Sequence, residues 1–208
     1  MQNLSPQLAT IIDDLSENGY AVCDAFLSAE IIAALADKAT KRYLNGAMTA
    51  AKTGQSTKTL NANIRGDSIF WLSEASENTS VQAYFSKMHL LRNALNLHLF
   101  MNVQEMETHL AVYPIGSVYE KHLDQFQHGE TTQARQLSSV LYLNQAWQAD
   151  DGGALRLHLT EGDYIDISPV AGKLVLFLSN KFWHEVRMAK IARISLTGWF
   201  RTRSDAII

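Results

Sequence analysis

The sequence is poor in cysteine and proline. Its 208 residues include three prolines and one cysteine, Cys23. A single cysteine excludes an internal disulfide and suits a reducing compartment. Cys23 follows Tyr20, Ala21 and Val22, an apolar context that favours a buried, inert thiol over a nucleophile.

Basic runs and long apolar runs are also absent. Eighteen Lys and Arg against 21 Asp and Glu give a net charge of −3, which argues against nucleic acid as a partner. No apolar stretch reaches the length of a membrane span, and residues 1–8 lack the features of a secretory signal. We therefore expect a cytoplasmic protein without a membrane or nucleic-acid partner; the sequence does not indicate its oligomeric state.

Length and composition are those of an ordinary globular protein. Hydrophobic residues make up 47% of the chain and charged residues 19%, so the chain is long enough to bury a substantial core. Neither an internal repeat nor a linker divides it. The sequence predicts a single domain over residues 1–208, with mainly helical support in 1–105 and a β-rich core in 106–200.

The first hundred residues carry helical signals. Ser5 followed by Pro6 is typical of a helix start, and Gly19 of a helix end. Ser28 is the predicted cap of a second helix, and apolar spacing predicts a third helix over 80–100. The polar stretch 45–63 is too long for a simple connection. It is interpreted as a mobile functional loop, a hairpin, or a solvated insertion without function.

From residue 106 onward the apolar pattern changes to period two, which indicates strands. Many short strands after helices predict an α+β fold, in which helices brace one face of a β-sandwich or jelly roll (double-stranded β-helix). The predicted strands here are 106–113, 138–144, 153–159, 173–178 and 191–200, and a further short strand is predicted around 20–22, after the first helix.

A His-x-Asp pair, His122 and Asp124, follows a β-like run. On a strand these two side chains would point to one face and could hold one metal ion. The His-x-acid pattern has low specificity: with seven histidines and 21 acidic residues, about 0.7 matches are expected by chance. His128-Gly129-Glu130 is such a decoy. Taken alone, the pair is more simply explained by an ordinary structural histidine.

The last predicted strand places Arg193 on the same face as Thr197 and Trp199. If that face lines the inside of a jelly roll, the guanidinium needs an anionic partner, because burying it unpaired is costly. A dicarboxylate fits, and Tyr142 on a neighbouring strand could donate a second hydrogen bond. In isolation, the simpler alternative is that Arg193 faces solvent.

The order of these residues is more informative than any one of them. His122 and Asp124 are followed by His184 about sixty residues later and by Arg193 nine residues beyond it. Two histidines and a carboxylate can occupy one face of an octahedral Fe(II) and leave three positions open. The His-x-His pair of metal-binding cupins is absent at this position. The combination predicts a non-haem iron site beside an anion pocket.

Further motifs lie in the same order along the chain. They are Asn63-Ile64-Arg65-Gly66-Asp67-Ser68-Ile69-Phe70-Trp71, Tyr113-Pro114 with Gly116 and Tyr119, Tyr142-Leu143-Asn144, Gly152-Gly153-x-Leu155-Arg156, Trp183-His184-Glu185-Val186 and 193–199. Together they resemble the 2-oxoglutarate-dependent oxygenases, and more narrowly the prolyl 4-hydroxylases that act on hypoxia-inducible factor and their bacterial relatives. The resemblance extends from about Gly19 to Trp199.

The resemblance implies a role for each site residue. His122, Asp124 and His184 would bind Fe(II). Residues 45–63 would be the substrate-gripping loop, followed by Arg65 and Asp67. The residues implied for the 2-oxoglutarate pocket are Arg193 and Tyr142 at the distal carboxylate, Tyr113 along the wall, and Trp199 against the cosubstrate.

The resemblance implies an Fe(II)- and 2-oxoglutarate-dependent dioxygenase that consumes O2 and releases succinate and CO2, with ascorbate as a stimulant. Its implied substrate is a prolyl residue in an exposed loop of a protein, and elongation factor Tu is a candidate if the source is bacterial. A hydroxylase of a free amino acid or small metabolite is one alternative. A non-catalytic 2-oxoglutarate or oxygen sensor is another. The segment 125–137 is longer than its counterpart in the family, which affects substrate recognition more than the iron site.

Overall fold

The computed structural model describes residues 4–51, 61, 64–125, 134–160 and 162–202. Most of the polar stretch 45–63, and all of the decoy His128-Gly129-Glu130, lie outside these residues.

Two helices form where the capping residues predict them, and a third forms where the apolar spacing predicts it. The side chain of Ser5 accepts a hydrogen bond from the Leu8 N–H at the start of the first helix, which ends at Gly19 in a left-handed conformation with φ of 79°. Ser28 and Asn78 cap the other two helices in the same way. The helices are α1 (Pro6–Asn18), α2 (Ala29–Leu44) and α3 (Thr79–Leu99).

Eleven strands are found among the described residues. They are β1 (Tyr20–Cys23), β2 (Thr49–Ala50), β3 (Ser68–Trp71), β4 (Glu105–Tyr113), β5 (Tyr119–His122), β6 (Arg135–Tyr142), β7 (Leu155–His158), β8 (Tyr164–Ile167), β9 (Leu174–Leu178), β10 (His184–Val186) and β11 (Arg193–Arg201).

The strands form two facing antiparallel sheets. The larger sheet has the order β1-β9-β6-β11-β4-β3-β2, and the smaller has the order β5-β10-β7-β8. One apolar cluster joins the helices to the outer face of the larger sheet, and a second lies between the sheets. The predicted α+β jelly roll braced by helices on one face is confirmed.

Alternate side chains of β11 point to opposite faces of the larger sheet. Leu196 and Phe200 belong to the cluster under the helices, whereas Arg193, Thr197 and Trp199 line a pocket between the sheets. Because successive side chains on a strand point to opposite faces, the same strand builds the core and the pocket. The alternative of a solvent-facing Arg193 is wrong, since this residue is 2% exposed.

Two local predictions are corrected by the structure. β5 ends at His122, so Asp124 lies in the bend that follows and not on the strand. β2, β3, β8 and β10 were not predicted, because two to four residues are too few to show a period-two pattern. In the described part of the chain, no helix is long and apolar enough to cross a membrane.

Gly198 of β11 allows the central strands to approach closely. A Cβ atom at this position would collide with the Thr108 hydroxyl and the Glu107 carbonyl oxygen of β4. We expect Gly198→Ala to lower the free energy of unfolding by roughly 1–3 kcal/mol, because backbone and a buried side chain would have to move. Urea denaturation measures the change, with Ser86→Ala on the exposed face of α3 as the control. Equal stability of the two variants would contradict this account.

Candidate metal centre and its pocket

His122, Asp124 and His184 converge on one point between the sheets. One ligand atom from each lies within 4.8 Å of the others. Nε2 of His122 and Nε2 of His184 are each 3.6 Å from an oxygen of Asp124. The two histidines are directly opposite each other in the β5–β10 pairing. Strand pairing thus brings together residues that are far apart in the sequence.

Backbone carbonyl groups orient both imidazole rings. Nδ1 of His122 donates to the Glu120 carbonyl at 2.7 Å, and Nδ1 of His184 donates to the Phe182 carbonyl at 3.2 Å. Since a carbonyl oxygen only accepts, each ring carries its proton on Nδ1 and leaves Nε2 free to bind a metal. This is the tautomer that metal binding through Nε2 requires.

Asp124 is fixed by a hydroxyl group from the larger sheet. Ser138 of β6 donates a hydrogen bond of 2.6 Å to this carboxylate. Burial alone would raise the pKa of Asp124, but the neighbouring His184 and His122 and the Ser138 hydroxyl hold it well below its ordinary value. The carboxylate is therefore ionised and ready to bind a cation.

The His184 ring is neutral at ordinary pH. Burial lowers its pKa to about 4, against the opposing charge of Asp124. Two histidine imidazoles and one carboxylate on one side of a cavity are the donor set of a mononuclear non-haem Fe(II) site. The residues present therefore fit this metal.

Arg193 lies in the same pocket, with its guanidinium beside two tyrosine rings. The guanidinium carbon is 5.1 Å from the Tyr113 ring centre and 4.9 Å from that of Tyr142. Among the described residues, neither Arg193 Nε nor the Tyr142 hydroxyl completes a hydrogen bond, and no carboxylate pairs with the guanidinium. A buried cation without a protein anion calls for an anionic ligand. A carboxylate group of a ligand would supply that anion.

Tyr142 and Tyr113 both remain protonated donors. Burial raises the pKa of each phenol, although Arg193 lowers it. Asn144 fixes the position of Arg193: its side-chain oxygen accepts a 2.6 Å hydrogen bond from the Ile194 N–H, and its amide donates to the Pro169 carbonyl. The Tyr142-Leu143-Asn144 motif thus supplies a buried hydroxyl group beside Arg193 and an amide that holds the neighbouring strand in place.

Arg65 and Asp67 form an ion pair at the side of the pocket. Arg65 binds both carboxylate oxygens of Asp67, at 2.7 and 3.0 Å. Asp67 is 2% exposed, whereas Arg65 lines the pocket. The guanidinium lies 4.7 Å above the Tyr119 ring, and that ring stacks on His122 at 3.6 Å. The pair therefore braces a metal-site histidine as well as facing the cavity.

Several pocket residues were not singled out from the sequence. The most informative is His109, which is 1% exposed. It lies four residues before Tyr113 on β4, and the even spacing puts both on one face. That spacing could have identified it. Val140, Leu155, Val186 and Thr197 also line the pocket, although no role in the site was predicted for them.

Comparison with known proteins identifies the family. The sequence profile of the 2OG-Fe(II) oxygenase superfamily matches residues 108–201. A crystal structure of a Pseudomonas putida prolyl-4-hydroxylase is 41% identical, with a TM-score of 0.84 over 94% of this chain and 99% of that one. The chain belongs to the 2OG-Fe(II) oxygenase superfamily. Within it, this oxygenase is a dioxygenase of the prolyl 4-hydroxylase type.

Two animal relatives extend the likeness of this oxygenase to prolyl 4-hydroxylases. A Trichoplax adhaerens prolyl hydroxylase, solved with a hypoxia-inducible factor peptide, is 25% identical, with a TM-score of 0.81 over 93% of this chain and 88% of that one. The hypoxia-inducible factor prolyl hydroxylase of Caenorhabditis elegans is 27% identical over 94% of this chain. This chain spans 28% of the length of the nematode protein.

Ser138 provides a test of how the oxygenase orients its carboxylate ligand. We expect Ser138→Ala to weaken Mn(II) binding about tenfold, because Asp124 loses the hydroxyl that fixes it. Ser139→Ala is the matched control, since the neighbouring hydroxyl bonds to the Gly198 carbonyl on the other side of the strand. Mn(II) titration followed by electron paramagnetic resonance measures both affinities. Equal affinities in the two variants would disprove the orienting role.

Proposed function

We propose that this oxygenase hydroxylates a prolyl residue in a protein, using 2-oxoglutarate and O2. The observation that carries the proposal is one pocket with the His122, Asp124 and His184 triad on its wall and Arg193 inside it, a cation with no carboxylate partner among the described residues. Its likeness to the Pseudomonas putida prolyl-4-hydroxylase supports proline as the target.

In the proposed site, His122, Asp124 and His184 hold Fe(II), and Arg193 and Tyr142 bind the distal carboxylate of 2-oxoglutarate. When bound, Fe(II) and 2-oxoglutarate supply the oxidation: one atom of O2 enters succinate as CO2 leaves, and the other enters the substrate C–H bond as hydroxyl. The protein orients the reactants. Its Nδ1–carbonyl bonds hold both imidazoles in one tautomer, and Ser138 holds Asp124.

Apolar walls keep water from the reacting groups. Val140, Leu155 and Val186 line the same cavity as Arg193 and the triad. Water expelled from such a site no longer competes for the metal or for Arg193, so the ionic contact with a carboxylate strengthens. The pocket thereby favours a ligand with a carboxylate at its far end.

The exposure of Trp71 supports the proposal that the substrate reaches the pocket from the protein surface. This side chain is 48% exposed, and its ring lies 4.8 Å from the pocket residue His109. A half-exposed aromatic ring beside a pocket residue can pack against a pyrrolidine ring of a peptide. We propose a prolyl residue in an exposed loop of a partner protein as the group that enters here.

Elongation factor Tu is the first protein to test, on the resemblance to bacterial members of the family. Hydroxylation of a free amino acid or small metabolite is the alternative enzymatic function. A 2-oxoglutarate or oxygen sensor would bind both cofactors without turnover. Stimulation by ascorbate and a cytoplasmic location stay predictions.

Loss of the carboxylate ligand and loss of the pocket cation should affect turnover differently. Asp124→Ala is expected to abolish succinate formation, because one of three metal ligands is gone. Arg193→Ala is expected to raise the KM for 2-oxoglutarate roughly 10–100-fold, through loss of a charged hydrogen bond. Arg187→Ala, an exposed arginine outside the pocket, is the control. Retained activity in Asp124→Ala would contradict the assignment of Asp124 as a metal ligand. An unchanged KM in Arg193→Ala would contradict the role of Arg193 in binding 2-oxoglutarate.

The class of substrate can be decided by succinate release. We expect Fe(II), 2-oxoglutarate and desalted host protein to give more succinate than the same mixture with the small-molecule fraction, because the proposed substrate is a protein. Purified elongation factor Tu would be tested as a third candidate substrate. Peptide mass spectrometry would then locate a proline that gains oxygen. Stimulation by small molecules alone would favour the metabolite hydroxylase. Cofactor binding without stimulation by any arm would favour the sensor.

A further inference from the structure

Asp124 differs from the two histidines of the triad in how its backbone is held. His122 and His184 are opposite each other in the β5–β10 pairing. β5 ends at His122, and Asp124 lies in the bend that follows. A residue in a bend has no ladder hydrogen bonds to fix its backbone. The position of this carboxylate must therefore be fixed by contacts with other parts of the chain.

The first such contact reaches the carboxylate through two hydroxyl groups. Ser138 of β6 donates its 2.6 Å hydrogen bond to Asp124, and the hydroxyl oxygens of Ser138 and Ser179 are 2.8 Å apart. A hydroxyl group carries one proton, and an ionised carboxylate can only accept. Because the Ser138 proton is used at Asp124, the second hydrogen bond is donated by Ser179 to the Ser138 oxygen.

The second contact reaches the backbone beside Asp124. The Gln125 N–H donates to the Ser179 carbonyl at 3.1 Å, and the Ser179 N–H donates to the Gln136 carbonyl, also at 3.1 Å. Ser179 directly follows β9, so its N–H bond continues the pairing of β9 with β6. The backbone of Ser179 thus joins the bend after β5 to the larger sheet.

Both serine hydroxyls lie where water does not compete for their hydrogen bonds. Ser179 is 0% exposed and Ser138 is 1% exposed. In a region of low dielectric, hydrogen bonds in a chain polarise one another, so a donor behind Ser138 strengthens its bond to Asp124. Neither serine belongs to the described residues that line the pocket. Their hydroxyl groups therefore act on the carboxylate and not on a ligand in the cavity.

We propose that Ser179 is a positioning residue that holds Asp124 in place for the metal. Its hydroxyl acts by way of Ser138 and fixes the rotation of the carboxylate. Its carbonyl acts by way of Gln125 and fixes the bend that carries Asp124. Contacts behind a metal ligand orient that ligand and raise the affinity of the site. The inference rests on the proposed function, because it takes the triad as the metal site.

A double-mutant cycle on the two serines tests the hydroxyl relay. Ser179→Ala removes the hydroxyl and leaves the backbone contacts of residue 179 in place. We expect it to weaken Mn(II) binding about threefold, the loss of one neutral hydrogen bond. Because the Ser179 hydroxyl acts through Ser138, the double variant Ser138→Ala/Ser179→Ala should bind Mn(II) with the same affinity as Ser138→Ala alone. Titration followed by electron paramagnetic resonance measures all four affinities.

Ser139→Ala is the control for the loss of a buried hydroxyl, since this group bonds to the Gly198 carbonyl, and its Mn(II) affinity should equal that of the wild type. Unchanged affinity in Ser179→Ala would overturn the proposal. A double variant weaker than Ser138→Ala by the full Ser179→Ala factor would also overturn it, because Ser179 would then act independently of Ser138. Such additivity is the result expected of a merely structural role.

The proposed function and the role of Ser179 fail in different measurements. Wild-type protein that binds no Mn(II) contradicts the metal centre and with it the proposed function. Wild-type protein that binds Mn(II), with the same affinity in Ser179→Ala, contradicts the role of Ser179 alone.

Discussion

The buried guanidinium of Arg193 is the constraint on which the rest of the site depends. It is 2% exposed and stands between two tyrosine rings, where a cation without an anion is strongly disfavoured. Asn144 fixes its strand, and burial keeps both phenols protonated. These features are explained together by an anionic ligand that completes the charge balance of the pocket.

The central strand β11 links that cation to the metal triad. Its inward residues Arg193, Thr197 and Trp199 line the pocket, while Leu196 and Phe200 anchor the other face under the helices. A shift of one residue in the pairing would exchange the two sets of side chains. Gly198 maintains the close approach of β11 to β4. The same strand pairing therefore packs the core and positions the side chains of the pocket.

The capped helices, the longer strands and the jelly-roll class could be predicted from local patterns, because caps and periodicity act over a few residues. The candidate ligands could be selected only by their joint order, since each motif is common by chance. Asp124 shows the limit: a strand was predicted there, but the chain bends after His122 and still brings the carboxylate to the histidines. His109 was missed because a lone histidine in an apolar strand is usually a core residue, and only its even spacing from Tyr113 puts it on the pocket face.

The sequence by itself determined the types of residues available for chemistry, the capped helices and the alternation that gives each long strand two different faces. Only the tertiary structure decided that His122 pairs with His184, that Ser138 holds Asp124, and that Arg193 and His109 line one pocket. The physical reason is that these contacts join distant segments. Their geometry follows from strand register and from the exclusion of water between two sheets, which no local stretch of sequence specifies.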